Sequence, residues 1–248
     1  MKTTFRIIAM VLVAAFYSCQ KNDVSPEVSS SISSDGAFSG TIVNDSNRID
    51  SIKAYSYFGS INYNDSTILL GKSAMLSSGK FSLVLTNPVL RKIGTGPNGV
   101  VVSDTTAIIG NMDEFEAYKG GIYTGNINKY NFSIGDSTKA GMSKSQFMYS
   151  DRTFTIKGTE IHADTYNGIT SNLKFNYGIT FKKGWNEIVL RVDSYSKTST
   201  TKTTVETYSN TVTPDMQWRY IPISTPISTI RAKTREVHGI ARSGFLFR

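Results

Sequence analysis

The chain has 248 residues with 27 Lys+Arg against 19 Asp+Glu, a formal charge of +8, and a single cysteine, Cys19. One cysteine excludes an internal disulfide and any zinc set built on paired cysteines, so stability must come from an ordinary apolar core. The basic excess sits in residues 136–248, which hold 16 Lys+Arg against 9 Asp+Glu, net +7; in an exported protein such a surface meets lipopolysaccharide phosphates or acidic glycans, or remains a solvated face, and nucleic acid is not among the expected partners.

The first residues follow the plan of a secretory signal. Lys2 and Arg6 give a positive start, and Ile7 to Tyr17 is an uncharged, mostly apolar run of 11 residues. A membrane-crossing helix needs roughly 20 such residues, so the run is too short to anchor the chain by itself. Cys19 follows a small residue, Ser18, at the point where a signal peptidase would cut. The stretch Ala15-Phe16-Tyr17-Ser18-Cys19 resembles the lipobox of bacterial lipoproteins, and the following Gln20-Lys21-Asn22-Asp23 resembles the short Lys/Asp-rich signal that sends some of them to the outer face of the outer membrane. The resemblance implies that Cys19 carries diacylglycerol as residue one of the mature chain. Two or three acyl chains hold a protein stably where one does so only marginally. These features place 1–18 as signal peptide and 19–35, with six Ser in 20–35 and no aromatic residue, as a flexible tether.

From Gly36 onward the dominant pattern has period two, the mark of half-buried strands. Phe81-Ser-Leu83-Val-Leu85 alternates, and Ile52–Phe58 is β-rich. The run MDEFEAYK at 112–119, acidic at its start and basic at its end, predicts one or two helical turns stopped by Gly120-Gly121. In NLKFNYGITF, Leu173, Phe175, Tyr177, Ile179 and Phe181 occupy one face. Lys182-Lys183-Gly184 follows and Trp185–Asp193 starts a further strand, so 172–193 predicts a β-hairpin with Gly184 at φ > 0. Thr198–Tyr208 predicts a strand on an edge or exposed face.

The expected architecture is all-β: two β-sandwich-like domains of immunoglobulin or transthyretin type, at 36–135 and 136–221, before a basic, weakly ordered tail at 222–248. Gly40, Gly79, Lys80, Phe81 and Leu83 carry a likeness to transthyretin-like and carboxypeptidase-regulatory-like sandwiches. The turn Lys183-Gly184-Trp185-Asn186 resembles one in the C-terminal β-domain of Bacteroidetes-type cell-envelope lipoproteins, a resemblance that implies a place and a fold but no activity.

Residues suited to catalysis are sparse. His162 and His238 stand alone, no G-x-S-x-G elbow occurs, and Asp113, Glu114 and Glu116 read as solvent-facing; no cofactor, metal or catalytic residue is expected. The run Asn44-Asp45-Ser46-Asn47 with Asp50 offers oxygen ligands for Ca2+ but lacks EF-hand spacing, and a turn between strands is the expectation. Aromatic rings in an exported β-protein suit glycan recognition, the ring packing on a sugar face while polar neighbours bond its hydroxyls. Tyr55 and Tyr57 on one strand, with Trp185 and Trp218, are the candidate ligand contacts; Tyr118, Tyr123 and Tyr130 lie near one another in sequence, and core packing is the alternative for all of them. The overall expectation is a non-catalytic, lipid-anchored outer-membrane protein that binds glycan or a protein partner, with an assembly subunit or a hydrolase as alternatives.

Overall fold

The computed structural model describes residues 31–44, 46–58 and 66–223. The expectations for the signal peptide, Cys19, Asp45, His238 and the tail beyond 223 lie outside the described residues. Fifteen strands run in chain order: β1 (Ala37–Thr41), β2 (Ser51–Phe58), β3 (Ser66–Ala74), β4 (Lys80–Val84), β5 (Arg91–Lys92), β6 (Val100–Val102), β7 (Ile108–Met112), β8 (Glu114–Lys119), β9 (Ile122–Tyr130), β10 (Ser143–Ser150), β11 (Phe154–Tyr166), β12 (Ile169–Phe181), β13 (Gly184–Lys197), β14 (Thr201–Ser209) and β15 (Gln217–Pro222). The all-β expectation holds: the described residues contain no α-helix, only a 3-10 turn at Ser46–Arg48.

The stretch expected to be helical is strand. Phe115 and Ala117 point into the core while Glu114, Glu116 and Tyr118 point out, and the segment is paired on both sides, by β2 and by β9. Its period-two burial outweighs charges that would have suited a helix dipole.

Thirteen strands form one sheet whose main path is β3-β2-β8-β9-β10-β13-β14-β12-β11-β6; β15 adds to β9, β7 to β10, and β5 to β7. β1 and β4 form a separate antiparallel pair. The expected 172–193 hairpin does not form, although both of its strands do. β14 inserts between β12 and β13, parallel to the first and antiparallel to the second. For the same reason β14 is an interior strand with Thr204, Glu206 and Tyr208 buried, and not the edge or exposed strand its threonines suggested. Two asparagines close this crossing. Asn210 accepts the Thr180 N–H and donates to the Glu187 carbonyl where β14 ends, and Asn186 accepts from Lys182 N–H and donates to the Lys182 and Gly184 carbonyls.

The run β10-β13-β14-β12-β11 must curl. Laid flat, its outer strands would be about 19 Å apart at 4.8 Å per step. Yet Ser150 at the end of β10 is joined to Phe154 at the start of β11 by residues 151–153 alone, which reach at most about 15 Å. The curl wraps a core of Met148, Phe154, Ile156, Phe175, Tyr177, Ile179, Phe181, Ile188, Leu190 and Tyr208, covered by Val100, Ala107 and Ile109. A second core lies between the β1–β4 pair and the other face of the large sheet. Phe38 is its hub, with ring centroids 5.8 Å from Phe81, 5.3 Å from Phe115, 4.9 Å from Phe147 and 5.3 Å from Trp218.

The cores interleave across residue 135 along the chain. Val100 to Ile109 serve the curled core, whereas Phe147, Trp185, Trp218 and Tyr220 serve the other. β13 from Gly184 to Leu190 is buried on both faces as a result.

The end of the expected tether is docked. Ile32 is buried and bridges to Phe38, the Ser34 carbonyl accepts the Trp185 N–H at 3.0 Å, and Ser31 N–H donates to Glu187 Oε2 at 2.8 Å. One apolar side chain and free backbone groups suffice to hold a serine-rich segment against a sheet edge. Gly184 has φ 95°, as its turn position predicts, and a Cβ there would overlap the Ser34 carbonyl oxygen. Gly184→Ala is therefore expected to destabilise the protein by about 2–4 kcal/mol, with a lower urea midpoint at unchanged m-value; a midpoint equal to wild type would contradict this docking.

Candidate functional site

The outer face of β2, β8 and β9 collects aromatic and charged side chains because these strands alternate. Their inner positions (Ile52, Ala54, Phe115, Ala117, Ile127) fill the core, which leaves Lys53, Tyr55, Glu114, Glu116 and Tyr118 outside, and a register shift between Gly125 and Tyr123 brings Tyr123 out beside Tyr118. The Tyr55 and Tyr118 hydroxyls are 3.3 Å apart, and Tyr118 donates a hydrogen bond to Glu116. The Lys53 ammonium sits 3.8 Å from the centre of the Tyr118 ring. Tyr123 crosses Tyr118 edge-on at 6.0 Å, donates to Asn126 at 3.1 Å, and is 38% exposed.

Burial, the hydrogen bond to Glu116 and the neighbouring phenol push the Tyr118 hydroxyl well above its ordinary value. Burial and the charges of Glu114 and Glu116 push Tyr123 up to about 12. Both phenols are thus neutral donors at any physiological pH. The face can stack one ring, accept through Glu116 and the phenol oxygens and donate through Lys53, a set suited to hydroxyl-rich ligands.

The candidate residues scatter. Tyr55 belongs to this face, joined there by Tyr118 and Tyr123. Tyr57 pairs with Thr67 through its backbone, and its side chain lies outside the described residues. Trp185 and Trp218 are corrections: both indoles are buried in the Phe38 core and have no face to offer a ligand. Tyr130 is buried beside Phe132. Asn44 bonds the Tyr220 backbone in both directions and Asp50 accepts the Gly120 N–H, so these side chains tie the 44–50 segment to β15 and to the β8–β9 turn. Among the described residues no group of three or more His, Asp or Glu is placed to hold a metal ion. A shallow groove of about 460 Å3 also opens between β1–β4 and residues 73–76, lined by Gly40, Lys80 and Phe81 of the sandwich-like motif.

A polar layer inside the curl was invisible in the sequence. Glu160, Phe175, Glu206 and Val192 lie in one cross-strand row, one step outside the row of Tyr177, Tyr208 and Leu190. Glu160 bonds His162 at 2.5 Å and accepts from Tyr177 at 2.8 Å, and Tyr177 stacks on Tyr208 at 5.2 Å. His162 is thus partly buried and hydrogen-bonded to Glu160. Glu206 is 2% exposed, and its Oε2 has no hydrogen-bond partner among the described residues. It lines a cavity of about 30 Å3, room for one water, together with Lys144, Phe132 and Leu190. Burial raises Glu206 to about 8, against a small opposing pull from Lys202, and burial lowers Lys144, itself only partly covered, to about 8. The sole trace of Glu206 in the sequence is its place at an inward position of an alternating strand.

Comparison with protein-family models, with curated proteins and with solved structures returns no match.

Glu206 has a signed consequence for stability. Its folded pKa of about 8 lies above the ordinary 4.5, so the folded state keeps a proton that the unfolded chain releases. Stability is therefore lost as pH rises from about 5 to about 8. Glu206→Gln removes this dependence. The stability difference between variant and wild type should move in favour of the variant by roughly 1 kcal/mol per pH unit across that window, measured by urea unfolding at pH 5, 6.5 and 8; parallel curves would contradict the assignment.

Proposed function

We propose that this protein is a non-catalytic, lipid-anchored binding module of the outer membrane. It is held through Cys19 and recognises glycan with the face of Tyr55, Tyr118 and Tyr123. The observation that carries the reading is the arrangement of that face: a partly exposed ring beside neutral phenols, a carboxylate and a lysine, on a sheet surface no described strand covers. The lipobox-like Ala15–Cys19 supports the anchor.

A protein partner, with an envelope-assembly role, is the second reading. It is favoured by Leu69, which is 44% exposed and lies directly across from Tyr55.

Two measurements test this. On a glycan array, Tyr123→Ala and Tyr55→Ala should each weaken binding tenfold or more while leaving the unfolding free energy from urea titration within about 0.5 kcal/mol of wild type, as expected for surface positions. Array binding unchanged in both variants would remove the glycan reading, and loss of a co-purifying protein in their place would favour the second. For the anchor, Cys19→Ser should move the protein from the membrane to the soluble fraction; undiminished membrane retention would contradict it.

A further inference from the structure

The distal halves of β11, β12, β14 and β13 extend past the core as a four-stranded sheet. β6 covers the outer edge of β11 only from Ile156 to Gly158, and among the described residues no strand pairs with that edge beyond this point. Thr155 offers its carbonyl to Ser103, and Thr159 its N–H to Gly99, on this side of β11. Backbone direction alternates along a strand, so Ile161, Ala163 and Thr165 present their N–H and C=O groups outward along the same edge. All three are exposed, Ile161 to 72%.

Sheet edges are ordinarily guarded by lysine, proline, a bulge or a cover. The edge of β3 carries Lys72 and a register shift opposite it, and its Leu70 carbonyl is taken by Thr86. The distal part of β13 carries Lys197 and a bulge after Val192. Residues 159–166, TEIHADTY, carry no lysine, proline or register shift; their only carboxylates are Glu160, turned inward and bonded, and Asp164.

We infer that this edge is a docking site for a second copy of the chain, β11 pairing antiparallel with β11 about a two-fold axis at Ala163. The sequence selects the register. Outward-facing backbone groups must meet their equivalents, so the registers to weigh centre on His162, Ala163 or Asp164. Centring on His162 sets Glu160 opposite Asp164 of the other copy, and centring on Asp164 sets two aspartates face to face. Like charges directly opposite destabilise a pair. Centring on Ala163 sets His162 opposite Asp164, Ile161 opposite Thr165 and Thr159 opposite Asn167, where the other copy turns away before reaching β6. The product is a continuous eight-stranded sheet, β13-β14-β12-β11 and its symmetry mate.

Cross-linking reads the register. In the full chain carrying Cys19→Ser, an added cysteine is the sole thiol. Ala163 faces its own equivalent at about 5.5 Å between Cα atoms, within disulfide reach. Mild oxidation of Ala163→Cys should give a covalent dimer, Ile161→Cys and Thr165→Cys alone at least tenfold less, and the two mixed a strong cross-link. Comparable cross-linking at all three single positions, none at Ala163, or preferential linkage of Ile161→Cys to Ala163→Cys would overturn the inference. Independently, sedimentation equilibrium of the full Cys19→Ser chain should show a dimer that the double variant Ile161→Lys, Thr165→Lys weakens tenfold or more with unchanged circular dichroism. A monomeric parent chain at 100 µM, or a dimer unaffected by the lysines, would refute it.

Discussion

Three residues, Asp151 to Thr153, set the architecture. They join strands that stand at opposite ends of a five-strand run, and the run has to roll up to let them do so. Rolling gives the curled core an inside, turns β13 into a strand buried on both faces, and exposes the outer surface of β10 and β13 to the Phe38 core. β11 to β13, with 13, 13 and 14 residues, are longer than the curl requires. Only their proximal halves are needed to line the core, so the distal halves stand clear of it.

The interior handles its charged groups in two ways. Lys129 and Glu187 form a buried pair at 2.8 Å, and Ser145 at 2.5 Å with the N–H and hydroxyl of Ser31 complete it. A pair so fully bonded offsets much of its desolvation cost, and its gain is specificity: it fixes where the chain enters the fold. Glu206 is the contrary case. With one oxygen lacking a partner, it avoids the cost of a buried charge by holding its proton, and this couples the curled core to pH.

Much of the strand content was legible because burial on one face writes itself as alternation. Leu173 to Phe181 is the clearest instance, and the buried residues of β12 are those of its alternating face. Pairing was not legible. The neighbour of β12 is a parallel strand about 30 residues later in the chain, a long-range choice that a tight Lys-Lys-Gly turn seemed to have made already. EFEAYK misled because its charges suit a helix end while Phe115 and Ala117 quietly keep period two. One local signal went unused: Asn167-Gly168, with φ of 50° and 75°, is the two-residue turn that joins β11 to β12. The tyrosine face could be half anticipated. Tyr55 stood out as a strand residue, but its meeting with Tyr118 depends on the β2–β8 register, which no local pattern encodes. The tryptophans failed as ligand contacts for a simple reason: a large ring is worth most in the core, and Trp218 meets four phenylalanines there.

The central claim is that the two cores are one cooperative unit, interleaved through β10, β13 and β15. Native-state hydrogen exchange measures this most directly. Amides of β9, β10, β13 and β15 should share the slowest rate and open with a single free energy equal to that of global unfolding, with the distal β11–β12 hairpin exchanging faster. Two distinct opening free energies, one for residues 36–135 and another for 136–221, would contradict the account.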